Sequence, residues 1–354
     1  MVKIKEPAPA AATAPEATLT ASRDDRPAAR RFWADSEAVT TTAVFAVSIV
    51  LILASRAISP AFGGWSQTQA ILILSSFVMI LGFGQGLVIL LGGLDLSVAS
   101  TMTLGGVLAF TWIGSSTAAL LWGVPAVLLA TALVGWANGL GITLLRVPPF
   151  IMTLAMGIIV YSICLGFTQG TPSGQASPFL SALYQYRLIG VPVIVYLLPI
   201  AALFGHLLQS RTPFGRKLYA IGTSEAAAFV AGINVRRLTI ATYAISGACG
   251  GLAGIMMVGY AGGATLTMGQ PYLLPSIAAV VVGGTSILGG RGNYLGTVGG
   301  AILLTTISTI IGALELPEGW RTVIYGAVIL LALLLMRERI LTAFERRFGR
   351  GGAR

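Results

Sequence analysis

Apolar residues fall into long runs separated by short polar stretches, and most runs are close to the length that crosses a bilayer. A helix needs about 20 residues to span the hydrocarbon core. Runs of that kind lie at 38–56, 69–91, 97–114, 117–145, 149–168, 189–209, 238–260, 273–289, 295–313 and 321–336. They predict an all-α polytopic membrane protein with about ten transmembrane helices. Pro125 marks a kink or a short entry segment within the overlong 117–145 run. The 273–289 run is short and carries Gly283-Gly284, which reads as a broken or re-entrant element.

The polar stretches add an orientation. With the N-terminus inside, every one of the 22 Lys and Arg residues except Arg56, Arg187 and Arg321 falls on the cytoplasmic side. That bias is the positive-inside signature, and it places both termini in the cytoplasm. Residues 1–31, rich in Ala, Pro and charge, read as a disordered cytoplasmic tail. Residues 32–336 form the transmembrane domain, and 337–354 a basic cytoplasmic tail. The first apolar run starts too late and is too long for a cleaved signal peptide.

Composition changes the picture only by exclusion. The chain of 354 residues is 55% hydrophobic and 10% charged, whereas soluble domains carry about a quarter charged residues. The net charge of +10 arises at segment ends, without the grouped basic and aromatic residues of a nucleic-acid groove. Cys164 and Cys249 lie inside apolar runs and read as small packing residues. With a single histidine, His206, near the end of a run, no metal site or catalytic triad can be assembled. GxxxxGK[ST], HExxH and GxSxG are all missing. The chain therefore reads as a non-catalytic membrane subunit, with no cofactor and no nucleotide site of its own.

Gly accounts for 45 residues. The steps Gly135/Gly139, Gly247/Gly251, Gly250/Gly254 and Gly296/Gly300 would let helix backbones approach closely; Gly is also simply common in membrane spans.

Two regions carry candidate chemistry. Asp95 is the sole acid between Glu37 and Glu225. It follows the helix-breaking Gly92-Gly93 and precedes Ser97, a candidate helix cap. Either Asp95 caps the next helix, or it lines the solute route or meets a partner. Gln85, Ser97, Asn138 and Thr153 are further candidates for the route, because neutral donors and acceptors suit a polyol; each could equally join helices. The second region is the basic loop from Ser210 to Leu238. At its centre, Thr223, Ser224, Glu225, Ala226, Ala227 and the residues up to Gly232 read as a short helix. Thr223 or Ser224 would cap it and Gly232 would end it. An ordered helix in a connecting loop suggests a docking element for a soluble partner.

These residues resemble the permease subunits of bacterial ABC importers of the ribose and monosaccharide type, from about Val39 to Leu335. Gly92-Gly93-Leu94-Asp95-Leu96-Ser97-Val98 is similar to that family's GG(I/L)DLSVG segment, with Ala99 where Gly is usual. Gly215-Arg216-Lys217-Leu218-Tyr219-Ala220-Ile221-Gly222, leading to Glu225-Ala226-Ala227 and Gly232-Ile233-Asn234-Val235, resembles its cytoplasmic coupling loop. Residues 277–297 resemble its IAAVVxGGTSxxGGxG…GT stretch, whereas Leu273-Leu274-Pro275-Ser276 replaces a more polar run. The resemblance implies a homodimer in the bacterial inner membrane, paired with a cytoplasmic ATPase and a periplasmic solute-binding protein. By the same implication the Glu225 helix docks on the ATPase, and a sugar-like solute moves inward by alternating access. A permease for branched-chain amino acids is the nearest rival. A stand-alone secondary transporter would need ionisable groups in its spans, of which Asp95 is nearly the only one.

Overall fold

A computed structural model describes residues 25–57, 63–315, 317, 319–327 and 330. Twelve helices are named in it: α1 (Asp25–Ala54), α2 (Trp65–Leu90), α3 (Val98–Leu108), α4 (Ala119–Leu144), α5 (Pro149–Thr168), α6 (Pro178–Gln185), α7 (Val193–Arg211), α8 (Pro213–Thr223), α9 (Glu225–Val230), α10 (Val235–Ala261), α11 (Leu273–Val282) and α12 (Tyr294–Ala313). The sole strands among the described residues, Arg187–Leu188 and Val191–Pro192, pair antiparallel before α7. The chain divides between Ser36 and Glu37, and the packing below is that of the unit beginning at Glu37.

Seven helices among the described residues are long and apolar enough to cross a membrane. Two expected spans are shorter than their apolar runs. The 97–114 run becomes the eleven-residue α3 followed by a π-turn over Ala109–Ile113. The 273–289 run is helical only over the ten residues of α11, because Gly283 and Gly284 end it. Pro125 sits inside an uninterrupted α4. Residues 25–31, expected in the tail, are helical; residues 1–24 of that tail and the C-terminal tail lie outside the described residues. Of the expected 321–336 span, residues 321–327 are helical, continuing from 319.

Helix α10 is central and packs on α4, α3 and α2, while α12 packs on α11 and α2. It starts at Asn234, whose Oδ1 accepts the Arg237 N–H (3.0 Å), and ends at Gly262 in the left-handed conformation. All four glycine steps serve helix contacts. Gly135 and Gly139 of α4 lie against the Tyr243 carbonyl and Ile240 of α10, and Gly247 and Gly251 of α10 against Thr131 of α4. Gly250 and Gly254 seat α3 at Thr101 and Met102; Gly296 and Gly300 seat α12 on the carbonyls of Gly283 and Ala279. In lipid, where apolar transfer drives little association between helices, such backbone approach supplies the dispersion contact that holds them together.

Candidate functional site

The break between α2 and α3 is made by sequence. Gly92 takes φ +81°, a conformation costly for other residues, and the N–H groups of Gly92 and Gly93 bond back to Ile89 and Val88 (2.8 and 3.1 Å). The chain is non-helical from Leu91 to Ser97, between the end of α2 and Val98.

Asp95, 1% exposed, sits in that gap. Its Oδ1 accepts the Ser97 N–H (3.0 Å) and the Ser97 hydroxyl (2.6 Å), and its Oδ2 accepts the Ser246 hydroxyl of α10 (2.8 Å). Asn138 of α4 donates from Nδ2 to the Ser97 Oγ (2.9 Å). The Thr153 hydroxyl of α5 accepts the Leu96 N–H (3.1 Å) and lies 3.2 Å from the Leu94 carbonyl. The capping expectation needs correction on both residues. Ser97 stands at the N-cap position of α3 but accepts no bond from a helical N–H. Asp95 takes the N–H of Ser97 itself, so its carboxylate closes the turn before the helix and ties that turn to α10.

Four of the five candidate route residues, Asp95, Ser97, Asn138 and Thr153, thus meet at the break. Gln85 lies elsewhere on α2, fully buried, with neither amide atom partnered among the described residues. The Asn138 Oδ1 and the Tyr243 hydroxyl, which lies against Gly93, are also without partners there. Burying such groups unpaired costs about 1–3 kcal/mol each.

Sequence reasoning passed over Ser246, the partner of Asp95, and Tyr243. A signal existed: Tyr243, Ser246, Gly247 and Gly250 share one face of α10 at helical spacing. No group of three or more His, Cys, Asp or Glu able to hold a metal occurs among the described residues.

The loop region folds as two short helices. Thr212 caps α8 by accepting the Gly215 N–H (3.2 Å). Of the two candidate caps for α9, Ser224 does the work, accepting the Ala227 N–H (3.3 Å); the Thr223 hydroxyl instead donates to the Tyr219 carbonyl (2.8 Å). Gly232, at φ +79°, ends the helix, and the Ile233 N–H returns to the Ala228 carbonyl (3.0 Å). Ala228 is buried, whereas Phe229 and Val230 are 73% and 87% exposed. This apolar pair projects from a loop that also carries Arg211, Arg216, Lys217, Arg236 and Arg237.

A family described as "Branched-chain amino acid transport system / permease component" matches residues 67–333, which take in the break, the loop helices and α12. The chain belongs to this permease family. It is 33% identical to the ribose import permease protein RbsC of Haemophilus influenzae, over 82% of this chain and 91% of that one. It is 34% identical to RbsC of Escherichia coli strain K12 (82% and 92%) and 35% identical to the fructose import permease protein FrcC of Rhizobium meliloti (81% and 83%). No solved structure matches the permease significantly.

Proposed function

We propose that this permease is the membrane subunit of an ATP-driven importer that carries a monosaccharide into the cytoplasm by alternating access. Two copies lie in the bacterial inner membrane, each with about ten spans and both termini cytoplasmic. A separate cytoplasmic ATPase hydrolyses ATP, and a periplasmic binding protein delivers the sugar. The family description names branched-chain amino acids, but the relatives of 29–35% identity carry the names of ribose, galactose, fructose and allose import permeases. A sugar also fits the neutral character of the buried polar groups, with Asp95 bonded to hydroxyls and one N–H and with no cationic residue in that cluster.

The observation that carries the reading is the exposed Phe229–Val230 tip of α9 on a basic loop. Thr223, Ser224, Glu225, Ala226, Ala227 and Gly232 build the docking element: Ser224 and Gly232 fix its two ends, and Phe229 and Val230 enter a groove on the ATPase. Among the route candidates, Gln85 and the Asn138 carbonyl hold free hydrogen-bonding groups for sugar hydroxyls, while Asp95, Ser97 and Thr153 secure the turn beside them. The test replaces Glu225 with Lys and, separately, Gly232 with Val in the reconstituted complex. ATPase stimulation by binding protein should be lost while the permease stays in the membrane. Unaltered stimulation in both variants refutes the docking role.

A further inference from the structure

We propose that movement of the docking helix enters the membrane at the two helix breaks, through a backbone contact at Gly222, and not along α10, the long helix that follows the loop in sequence. This inference rests on the docking reading above. Gly222 lies in the last turn of α8, and a Cβ there would collide with the carbonyl of Leu90, the last residue of α2, and with the amide of Gly290. The Gly290 N–H donates to that same Leu90 carbonyl (3.0 Å). A Cβ on Gly289 would stand 2.9 Å from the amide nitrogen of Gly92. Three segments therefore meet through main-chain atoms: the end of α8, the start of the α2–α3 break, and the loop that follows α11.

A side-chain bond secures the same contact. The Tyr219 hydroxyl, one turn before Gly222, donates to the Gly292 carbonyl (2.6 Å), and Gln209 of α7 donates to the Tyr219 oxygen (3.0 Å). Thr223 sits against Gly290. The covalent route to α10 offers a joint instead: Gly232, with a left-handed backbone and open space around it, separates α9 from α10.

Side chains can absorb a small displacement by changing rotamer; abutting backbones cannot, so the shift passes to the next rigid piece. Here the next pieces are Leu90–Ser97, which carries Asp95, and residues 283–293, which anchor α12 through Gly283 and Gly296. A push on α8 and α9 would thus move the turn around Asp95 and the foot of α11 together.

The test is amide hydrogen exchange on the complete complex in nanodiscs, with and without ATP and vanadate, for the unaltered permease, Tyr219→Phe and Gly222→Ala. In the unaltered complex the nucleotide should change exchange at 223–232, 90–97 and 284–292. Of the two bonds that Tyr219→Phe removes, the one to Gly292 joins α8 to the loop after α11. Its loss shifts an equilibrium by about fivefold, so the response at 90–97 and 284–292 should shrink by about that factor while 223–232 still responds. Gly222→Ala should act in the same direction; if it does not fold, Tyr219→Phe decides alone. A full response of the breaks in Tyr219→Phe overturns the inference, as does a response confined to the start of α10. If the ATPase leaves 223–232 unprotected in the unaltered complex, the docking reading fails and this inference with it.

Discussion

Helices α2 and α5 are almost equally apolar by mean hydropathy, yet 78% of the membrane-crossing stretch of α2 is buried and only 22% of that of α5. The difference lies in what interrupts the apolar residues. Helix α2 carries Gly82, Gly84 and Gly86, which lie against other helices, Ser75 and Ser76, which bond within their own turn, Gln69, which donates to the Gly190 carbonyl, and Gln85, without a partner among the described residues. Helix α5 presents Phe150, Ile151, Leu154, Ile158, Ile159, Ile163 and Phe167 outward. Lipid accepts any large apolar side chain, so a lipid-facing helix needs no shape. An inner helix must fit its neighbours, and small and polar residues are how it does so.

The sharpest way to break this contrast is to remove the carboxylate of Asp95. Asp95→Ala leaves the Ser97 N–H and the hydroxyls of Ser97 and Ser246 without their acceptor, at about 1–3 kcal/mol for each group. The protein should be lost from the monodisperse peak in size-exclusion chromatography, and Asp95→Asn should recover part of it. Matched glycine substitutions come next. A Cβ at Gly84 of α2 would stand 2.9 Å from the Ser246 Cα, whereas one at Gly166 of α5 meets nothing within 4 Å. Gly84→Ala should destabilise by about 1–3 kcal/mol through overpacking, and Gly166→Ala should stabilise by about 0.5–1 kcal/mol through helix propensity. Melting of the detergent-solubilised protein followed by fluorescence compares the two, and a loss of equal size at both positions would erase the distinction.

Gln85→Leu sharpens the contrast from the other side. Removing an amide with no partner among the described residues should raise the melting temperature, by the equivalent of about 1 kcal/mol, while sugar uptake by the reconstituted complex falls. A stabilised variant with full uptake would take Gln85 out of the route. The smallest effect is expected on the outer face: Ile158→Ala, at a side chain 63% exposed, should change stability by less than about 0.5 kcal/mol. Reduced intermolecular cross-linking of that variant would show that α5 faces another copy of the chain and not lipid.

Much of this was legible before any coordinates. The α9 helix and its Gly232 terminus follow from a capping serine, an alanine-rich turn and a glycine that tolerates positive φ. The break at Gly92-Gly93 follows for the same local reason. Four of the five polar candidates converge as polar groups in lipid must, each seeking a partner. What escaped was the identity of those partners. Ser246 lies 151 positions from Asp95, and Gln85 has the same composition signal as the other four but none of their bonds. Ser97 looked like a cap because local sequence offers it that role; the nearby carboxylate holds its hydroxyl instead.

Sequence by itself determined the apolar character of most segments, the breaks at Gly92-Gly93 and Gly283-Gly284, and the family. Those depend on side-chain transfer energies and on φ preferences, which act over a few residues. Tertiary structure decided which equally apolar helices lie inside, which polar groups pair, and that Gly222, Leu90 and Gly290 touch. Contacts of that kind depend on the approach of segments distant along the chain, and a glycine in the sequence does not say whose backbone it admits.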